Sequence, residues 1–147
     1  MPRNSVRIAC ERGWTLIELL VVVVVVGVLA AIALPVFLSQ QGKGKDAAAK
    51  SDARNVATAV ESCSLGERDY RDCDEQSELA SESGGYGWGN GPGQVRVLSA
   101  TANSFTVEAV SKQRTGSTSN TFTLTRESNG SVSRTCSGTG GCDDGSW

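Results

Sequence analysis

The sequence predicts an α+β protein in which one long N-terminal helix packs on a small antiparallel β-sheet. Three features indicate this class. Residues 19–38 form an uncharged apolar run, residues 49–63 carry an apolar stripe at helical spacing, and alternating apolar and polar residues fill the C-terminal part. The predicted helix spans a membrane in its first half and is amphipathic in its second half.

Composition limits the possible functions. The 147-residue chain has 14 Lys and Arg, 16 Asp and Glu and no His, for a formal net charge of −2. This balance lacks the excess of positive charge that is typical of nucleic-acid-binding proteins, so no specific nucleic-acid site is expected. Without His the chain lacks the commonest general base and metal ligand, and no nucleophile stands beside a base and an orienting group. We therefore expect no enzyme activity, catalytic residue, metal or cofactor.

The apolar run predicts a membrane segment. Twenty helical residues rise about 30 Å, which matches the hydrocarbon core of a bilayer. Backbone amides in lipid must be satisfied within the segment, so the six valines at 21–26 are predicted to be helical. Three arginines and one glutamate lie in the first 13 residues, ahead of the run, and positive residues stay on the cytoplasmic side. We expect a single pass with the C-terminal part outside.

Two residues do not suit an ordinary membrane anchor. Glu18 places a carboxylate near the start of the apolar run, where an ionisable residue is a functional candidate by default. The alternative is that Glu18 lies at the level of the lipid headgroups. Pro35 removes a helix amide and clashes with the carbonyl four residues earlier, so the sequence predicts a kink there.

The segment 13–20, Gly-Trp-Thr-Leu-Ile-Glu-Leu-Leu, resembles the processing site of type IV pilins and of the related pseudopilins of secretion systems. The family pattern is a short basic leader ending in Gly, an aromatic residue, Thr-Leu-Ile-Glu-Leu and a long apolar helix. Gly27 and Pro35 also fall where many members carry a Gly and a kinking Pro, whereas Trp14 replaces the commoner Phe. The resemblance covers residues 12–55.

The resemblance implies cleavage between Gly13 and Trp14 by a prepilin peptidase, followed by N-methylation of Trp14. It implies a subunit that is held in the cell membrane and then polymerised, with the inner-membrane assembly platform as a partner, into an extracellular filament with itself or other pilins. Gly13 leaves the scissile carbonyl unobstructed, and Trp is favoured at a membrane interface. In the filament core Glu18 needs a partner, and the α-amino group of Trp14 in an adjacent subunit is the nearest candidate.

The residues leave other assignments open. Ala31-Ile32-Ala33 satisfies the small-x-small rule for signal peptidase, which would release a secreted or membrane-tethered binding module beginning at Leu34. The motif at 13–18 counts against this alternative, because the general export pathway does not require it. Within the family, the sequence does not separate a surface pilin from a pseudopilin, or a major from a minor subunit.

The cysteines predict two disulfides. Loss of the leader removes Cys10 and leaves four cysteines outside the membrane, where disulfides persist. Of the three possible pairings, Cys63 with Cys73 and Cys136 with Cys142 close the shortest loops and are favoured. Zinc is disfavoured because there is no Cys-x-x-Cys and no His. The lipobox-like sequence that ends at Cys10 is rejected, because no apolar region precedes it.

The predicted segments follow one another along the chain. They are a leader at 1–13, a transmembrane and filament-core helix at 14–38, an amphipathic continuation at 39–63, an irregular αβ loop at 64–93, and a sheet with a C-terminal disulfide loop at 94–147. The stripe of the continuation consists of Ala49, Ala53, Val56, Val60 and Cys63. Because Gly42 and Gly44 each weaken a helix by about 1 kcal/mol, residues 35–44 are expected to bend or melt, with a simple loop as the alternative.

The loop at 64–93 is charged and then rich in glycine, which is typical of a surface connection. Its acidic residues suggest calcium, but Arg68 and Arg71 interleave with them and EF-hand spacing is absent, so a solvated loop is favoured. These acids are Glu67, Asp69, Asp72, Asp74 and Glu75. Tyr86 and Trp88 form either an exposed adhesive patch or, as we favour, a contact with the sheet.

Strands are predicted at 94–98, 105–110, 121–126 and 131–135, and Asn129-Gly130 before the last is a strong hairpin signal. Residues 114–120 are expected to form a hairpin tip. One face of this sheet is predicted to pack on the helix stripe. Its members are Val95, Val97, Phe105, Val107, Phe122 and Leu124.

Overall fold

The computed structural model describes residues 13–66, 69–79, 85–142 and 144–147. In these residues a helix α1 (Leu16–Ser64) precedes the strands β1 (Gly87–Trp88), β2 (Gln94–Ala100), β3 (Phe105–Thr115), β4 (Thr118–Arg126) and β5 (Val132–Ser137). The chain divides into two compact units, Met1–Leu38 and Ser39–Trp147. The predicted α+β class is confirmed.

The described part of the first unit is the N-terminal portion of α1. Its side chains are exposed almost throughout, and by length and composition α1 is able to cross a membrane. The valines at 21–26 are helical although β-branched residues favour strands. A helix satisfies its own backbone amides, which a hydrocarbon environment requires.

α1 continues through Pro35 and the two following glycines to Ser64. The expected melting of residues 35–44, and the alternative loop, are therefore wrong. Gly42 is buried, and a Cβ added there would lie 3.0 Å from the Gln113 side chain, so close packing offsets the weak helix propensity of glycine. The kink at Pro35 stays a prediction.

The second unit contains a sheet in the order β1-β2-β3-β4-β5. β1 pairs with β2 in parallel, and the other neighbours are antiparallel. The pairing of β2 with β3 shifts between Val97 and Ser99, and that of β3 with β4 shifts between Val110 and Arg114. Such bulges bend the strands.

Two details of the sheet differ from the sequence prediction. β1 lies within 64–93, where no regular structure is expected, because a two-residue strand offers no alternation to detect. β3 and β4 extend beyond the core, so the hairpin tip is Gly116 and Ser117 rather than 114–120. The outer part of this hairpin is polar, so an alternating hydrophobic pattern does not predict its pairing.

The core of the second unit joins the helix stripe to one face of the sheet. All members of the predicted sheet face are buried except Val97, which is partly buried. The segment after α1 also contributes Leu79, which is buried, and Tyr70, whose ring lies 4.9 Å from that of Phe105. The other buried hydrophobic members are Ala49, Ala53, Val56, Ala57, Ala59, Val60, Cys73 and Ala109.

Both predicted disulfides are confirmed. Cys63–Cys73 joins the end of α1 to the segment that follows it, and Cys136–Cys142 closes a loop at the end of β5. The Cα atoms lie 6.0 and 5.7 Å apart. Because this core is small, the covalent links supply stability that packing alone would lack.

Candidate functional site

The segment around the expected cleavage point is open to solvent. Gly13 and Trp14 precede α1 and are exposed, and a Cβ added at Gly13 would meet no atom within 4 Å. The expected leader residues 1–12 lie outside the described residues, as do Glu67 and Arg68 of the charged loop. The peptide bond between Gly13 and Trp14 is exposed and lies outside the helix, so it is accessible to a peptidase.

Glu18 closes a hydrogen-bonded box at the start of α1. Its carboxylate accepts hydrogen bonds from the backbone amide of Thr15 at 3.1 Å and from the Thr15 hydroxyl at 3.0 Å. The Glu18 amide in turn donates to the Thr15 hydroxyl at 3.3 Å. This is a capping box, and its Thr-x-x-Glu spacing is a signal that the sequence analysis missed. Glu18 therefore caps the helix locally, and its carboxylate must leave these hydrogen bonds before it can pair with another subunit.

The apolar surface that follows Glu18 along α1 has no cover among the described residues of the first unit. Large hydrophobic side chains from Leu16 to Leu38 are exposed on all sides of the helix, far beyond what one apolar stripe would present. Gly27 faces open space. Soluble proteins rarely leave a continuous surface of this kind uncovered, so it indicates contact with lipid or with other helices.

The second unit contains a buried polar network that the sequence analysis also missed. Asp46 is 1% exposed, and its carboxyl group accepts hydrogen bonds from the Asn120 side-chain amide at 3.1 and 3.2 Å and from the Gly141 amide at 3.1 Å. Lys50 donates to the Gly141 carbonyl at 2.5 Å. The network attaches the loop closed by Cys136–Cys142 to α1.

A signal for this network is present in the sequence. Asp46 lies three residues before Ala49, so it extends the apolar stripe with a carboxyl group. A buried carboxyl group requires hydrogen-bond donors. The spacing identifies the residue that needs partners, but those partners are 74 and 95 residues away.

Among the described residues of the second unit, two carboxyl groups have shifted pKa values. Burial raises the pKa of Asp52, and Lys112 partly opposes that rise. Hydrogen bonds from Arg71 lower the pKa of Asp69, which is part of an exposed ion pair. No group of three or more His, Cys, Asp or Glu in the described ranges is placed to hold a metal ion.

Tyr86 and Trp88 pack against the core cluster as partly buried side chains, which agrees with the favoured contact with the sheet.

Comparisons with known proteins agree with this architecture. Residues 8–34 match the family model of the prokaryotic N-terminal methylation motif. The chain is 40% identical over 83 residues to the type IV major pilin protein PilA of Myxococcus xanthus, an alignment that covers 56% of this chain and 32% of that protein. It is 34% identical over 91 residues to a type IV major fimbrial protein FimA of Dichelobacter nodosus, covering 57% and 58%.

A third relative is similar over most of its length. The chain is 32% identical over 108 residues to the type IV narrow pilus major component PilA5 of Thermus thermophilus, covering 71% of this chain and 92% of the relative. A methylation motif, an exposed apolar helix and a disulfide-bonded α+β unit together define a pilin-like protein. The chain belongs to the type IV pilin family. It spans about a third of the Myxococcus protein and just over half of the Dichelobacter protein.

Proposed function

We propose that the chain is a structural subunit of a type IV pilus or pilus-like filament, anchored and later polymerised through residues 14–38. The exposed apolar surface of α1 between Leu16 and Leu38 is the observation that carries this proposal. Lipid covers such a surface before assembly, and neighbouring helices cover it afterwards. The three relatives described above are named as pilus or fimbrial components, which supports the same role.

Processing precedes polymerisation in this proposal. A prepilin peptidase cleaves between Gly13 and Trp14 on the cytoplasmic side, and the new amino group of Trp14 is methylated. The match of residues 8–34 to the methylation motif supports this step. The basic leader keeps the N-terminus inside, and the second unit with its disulfides lies outside. The inner-membrane assembly platform then transfers the subunit to the filament.

Glu18 sets the axial position of the incoming subunit. An unpaired carboxylate and an unpaired terminal ammonium are both costly where water is excluded. The favoured position of the incoming helix is therefore the one in which Glu18 reaches the amino group of Trp14 in its neighbour. In the separate subunit the carboxylate is partnered by Thr15 of the same chain. Assembly therefore exchanges local hydrogen bonds for an ion pair between subunits.

Intact-mass analysis of membrane and sheared-surface fractions tests the proposal. We expect a chain that begins at Trp14, carries one methyl group and is present in filaments. Gly13→Glu should abolish processing, because the site must then accept a charged side chain in place of a hydrogen. Ser5→Glu makes the same charge change in the leader away from the cleaved bond and should be processed normally.

Two results would contradict the proposal. A mature chain beginning at Leu34 would establish the secreted or membrane-tethered binding module, and normal maturation of Gly13→Glu would exclude cleavage after Gly13. A correctly processed chain found only in short membrane-bound assemblies would instead identify a pseudopilin.

A further inference from the structure

A groove with unpaired positive charge lies between α1 and the strands β4 and β5. It has a volume of about 270 Å³, and we call it the basic groove. Arg54 and Arg134 flank it, and its apolar lining includes Leu124 and Val132. It is therefore an amphipathic surface with two guanidinium groups at its margin.

Trp147 holds these guanidinium groups near one another. The ring centroid of Trp147 lies 5.0 Å from the Arg54 guanidinium and 5.8 Å from that of Arg134. Its indole N–H donates to the carbonyls of Thr123 and Thr135 at 3.2 and 2.9 Å, so the ring itself is anchored on the sheet. Cations stacked on a fixed aromatic ring lose little freedom when an anion binds.

Neither arginine has an acidic partner in the described part of the chain. The ion pairs there involve Arg71, Arg96 and Arg126. Glu61, the acid that lines the groove, is 3.3 Å from Arg126 and is therefore engaged elsewhere. The basic groove is thus available to a carboxylate from another molecule.

The same chain carries a suitable anion, which we call the acidic segment (residues 69–79). Its five acids outnumber its one arginine, which is already paired with Asp69. Glu78 accepts hydrogen bonds from the amides of Asp74 and Glu75 at 3.1 and 3.0 Å. The Cys63–Cys73 disulfide and buried Leu79 hold the segment on the core. A segment ordered beforehand binds at low entropic cost.

Asp74 and Glu75 of the acidic segment lie at the opposite edge of the sheet from the basic groove. Asp74 and Glu75 line a cleft with Trp88 of β1 and Val97 of β2, whereas the groove borders β4 and β5. Four strand spacings of about 4.8 Å separate β1 from β5, so these two carboxylates do not reach the groove of their own subunit. Two different complementary patches on one molecule produce a head-to-tail contact, which repeats into an open helix when its rotation does not close a ring.

We infer that the basic groove of one subunit binds the acidic segment of a second copy of this chain. Asp74 and Glu75 are exposed, line the cleft beside β1 and form no ion pair in the described residues, and we assign them as the carboxylates that meet Arg54 and Arg134. This contact rests on the proposed filament function and adds a second interface to that of the apolar helix. Complementary charges fix its orientation.

Charge reversal on both surfaces of the full-length protein tests the inference. Arg54→Glu with Arg134→Glu, and separately Asp74→Arg with Glu75→Arg, should each lower the filament yield in sheared fractions about tenfold relative to processed membrane protein. All four changes in one chain restore opposite charges and should recover most of the yield. Arg114→Glu changes an exposed strand arginine outside the groove and should have no effect.

The recovery distinguishes lost contact from lost folding, since a misfolded variant is not rescued by a change at the opposite edge. Wild-type yield from either double variant would overturn the inference and leave the proposed function intact. Loss without recovery in the fourfold variant would also overturn it, because the groove would then serve another anion or the fold itself. Absence of filaments from the processed wild-type chain would refute the proposed function and this contact together.

Discussion

The two parts of α1 differ in whether their apolar side chains are covered by the chain itself. Between residues 16 and 38 nearly every side chain is apolar and exposed, whereas between 39 and 64 a narrow buried stripe of Ala and Val is surrounded by polar residues. The second part finds its cover in the sheet of the same chain. The first part needs lipid or other helices, so its stability depends on its surroundings, whereas that of the second unit depends on intramolecular folding.

Each part also contains one carboxyl group at a position where an apolar residue is expected. Glu18 is partnered by Thr15, three residues away, whereas Asp46 is partnered by Asn120 and Gly141. The local partners of Glu18 can be exchanged without disturbing any tertiary contact. The partners of Asp46 are released only when the second unit opens. One carboxyl group is thus suited to a change of partner, and the other to a permanent attachment.

The largest expected effect is the loss of filaments in Glu18→Ala. The variant should be cleaved and remain in the membrane but yield few or no filaments, because its helix lacks the charge that pairs with Trp14. Glu18→Gln keeps the capping box and removes the charge, so it should recover little. Thr15→Ala weakens the box and keeps the charge, so it should still assemble. The ratio of sheared to membrane-bound processed protein measures all three.

Wild-type filament yield from Glu18→Ala would show that helix packing alone sets the register. Full recovery in Glu18→Gln, with loss in Thr15→Ala, would assign Glu18 to helix capping instead.

A smaller effect, confined to the second unit, is expected for Asp46→Ala. Removal of the buried carboxyl group leaves the Gly141 amide without its acceptor and should lower the free energy of unfolding by about 3 kcal/mol. Urea unfolding of the full chain in detergent, with disulfides intact, measures the change. Asp52→Ala, six residues along the same helix, is the control and should change it by less than about 0.5 kcal/mol. An unchanged unfolding midpoint for Asp46→Ala would show that the network adds no stability.

The smallest effect concerns the ionisation of Asp52. Burial raises its pKa above 3.8, and Lys112 lowers it, so Lys112→Met should raise the pKa further. Because the folded-state value exceeds the unfolded one, this group favours folding most below about pH 3.8 and loses that contribution as pH rises through the folded pKa. NMR titration of the Asp52 carboxyl carbon measures the shift. A lower pKa in Lys112→Met would contradict the assigned interaction.

Much of the fold follows from local patterns in the sequence. Apolar spacing near 3.6 predicts the second part of α1, and alternation with a period of two predicts β2, β3 and β4. The Asn129-Gly130 turn predicts β5, and short loops predict both disulfides. The Thr-x-x-Glu box at Glu18 can equally be recognised in the sequence, because both partners lie within one helical turn. Such features are decided by neighbours a few residues apart, so the amino-acid sequence displays them directly.

The sequence by itself determined the apolar helix with its charged start, the strand pattern and the oxidised cysteines. Each of these depends on residues that are close together in the chain or on the cellular compartment that the chain enters. Only the tertiary structure decided that α1 stays helical through Gly42 and that β1 pairs with β2. The same holds for the hydrogen-bond partners of Asp46 and for the contact of two arginines with the Trp147 ring. Each of these depends on a side chain or strand brought close by the fold. Contact energies between residues so distant in sequence appear only after folding has closed the loops between them.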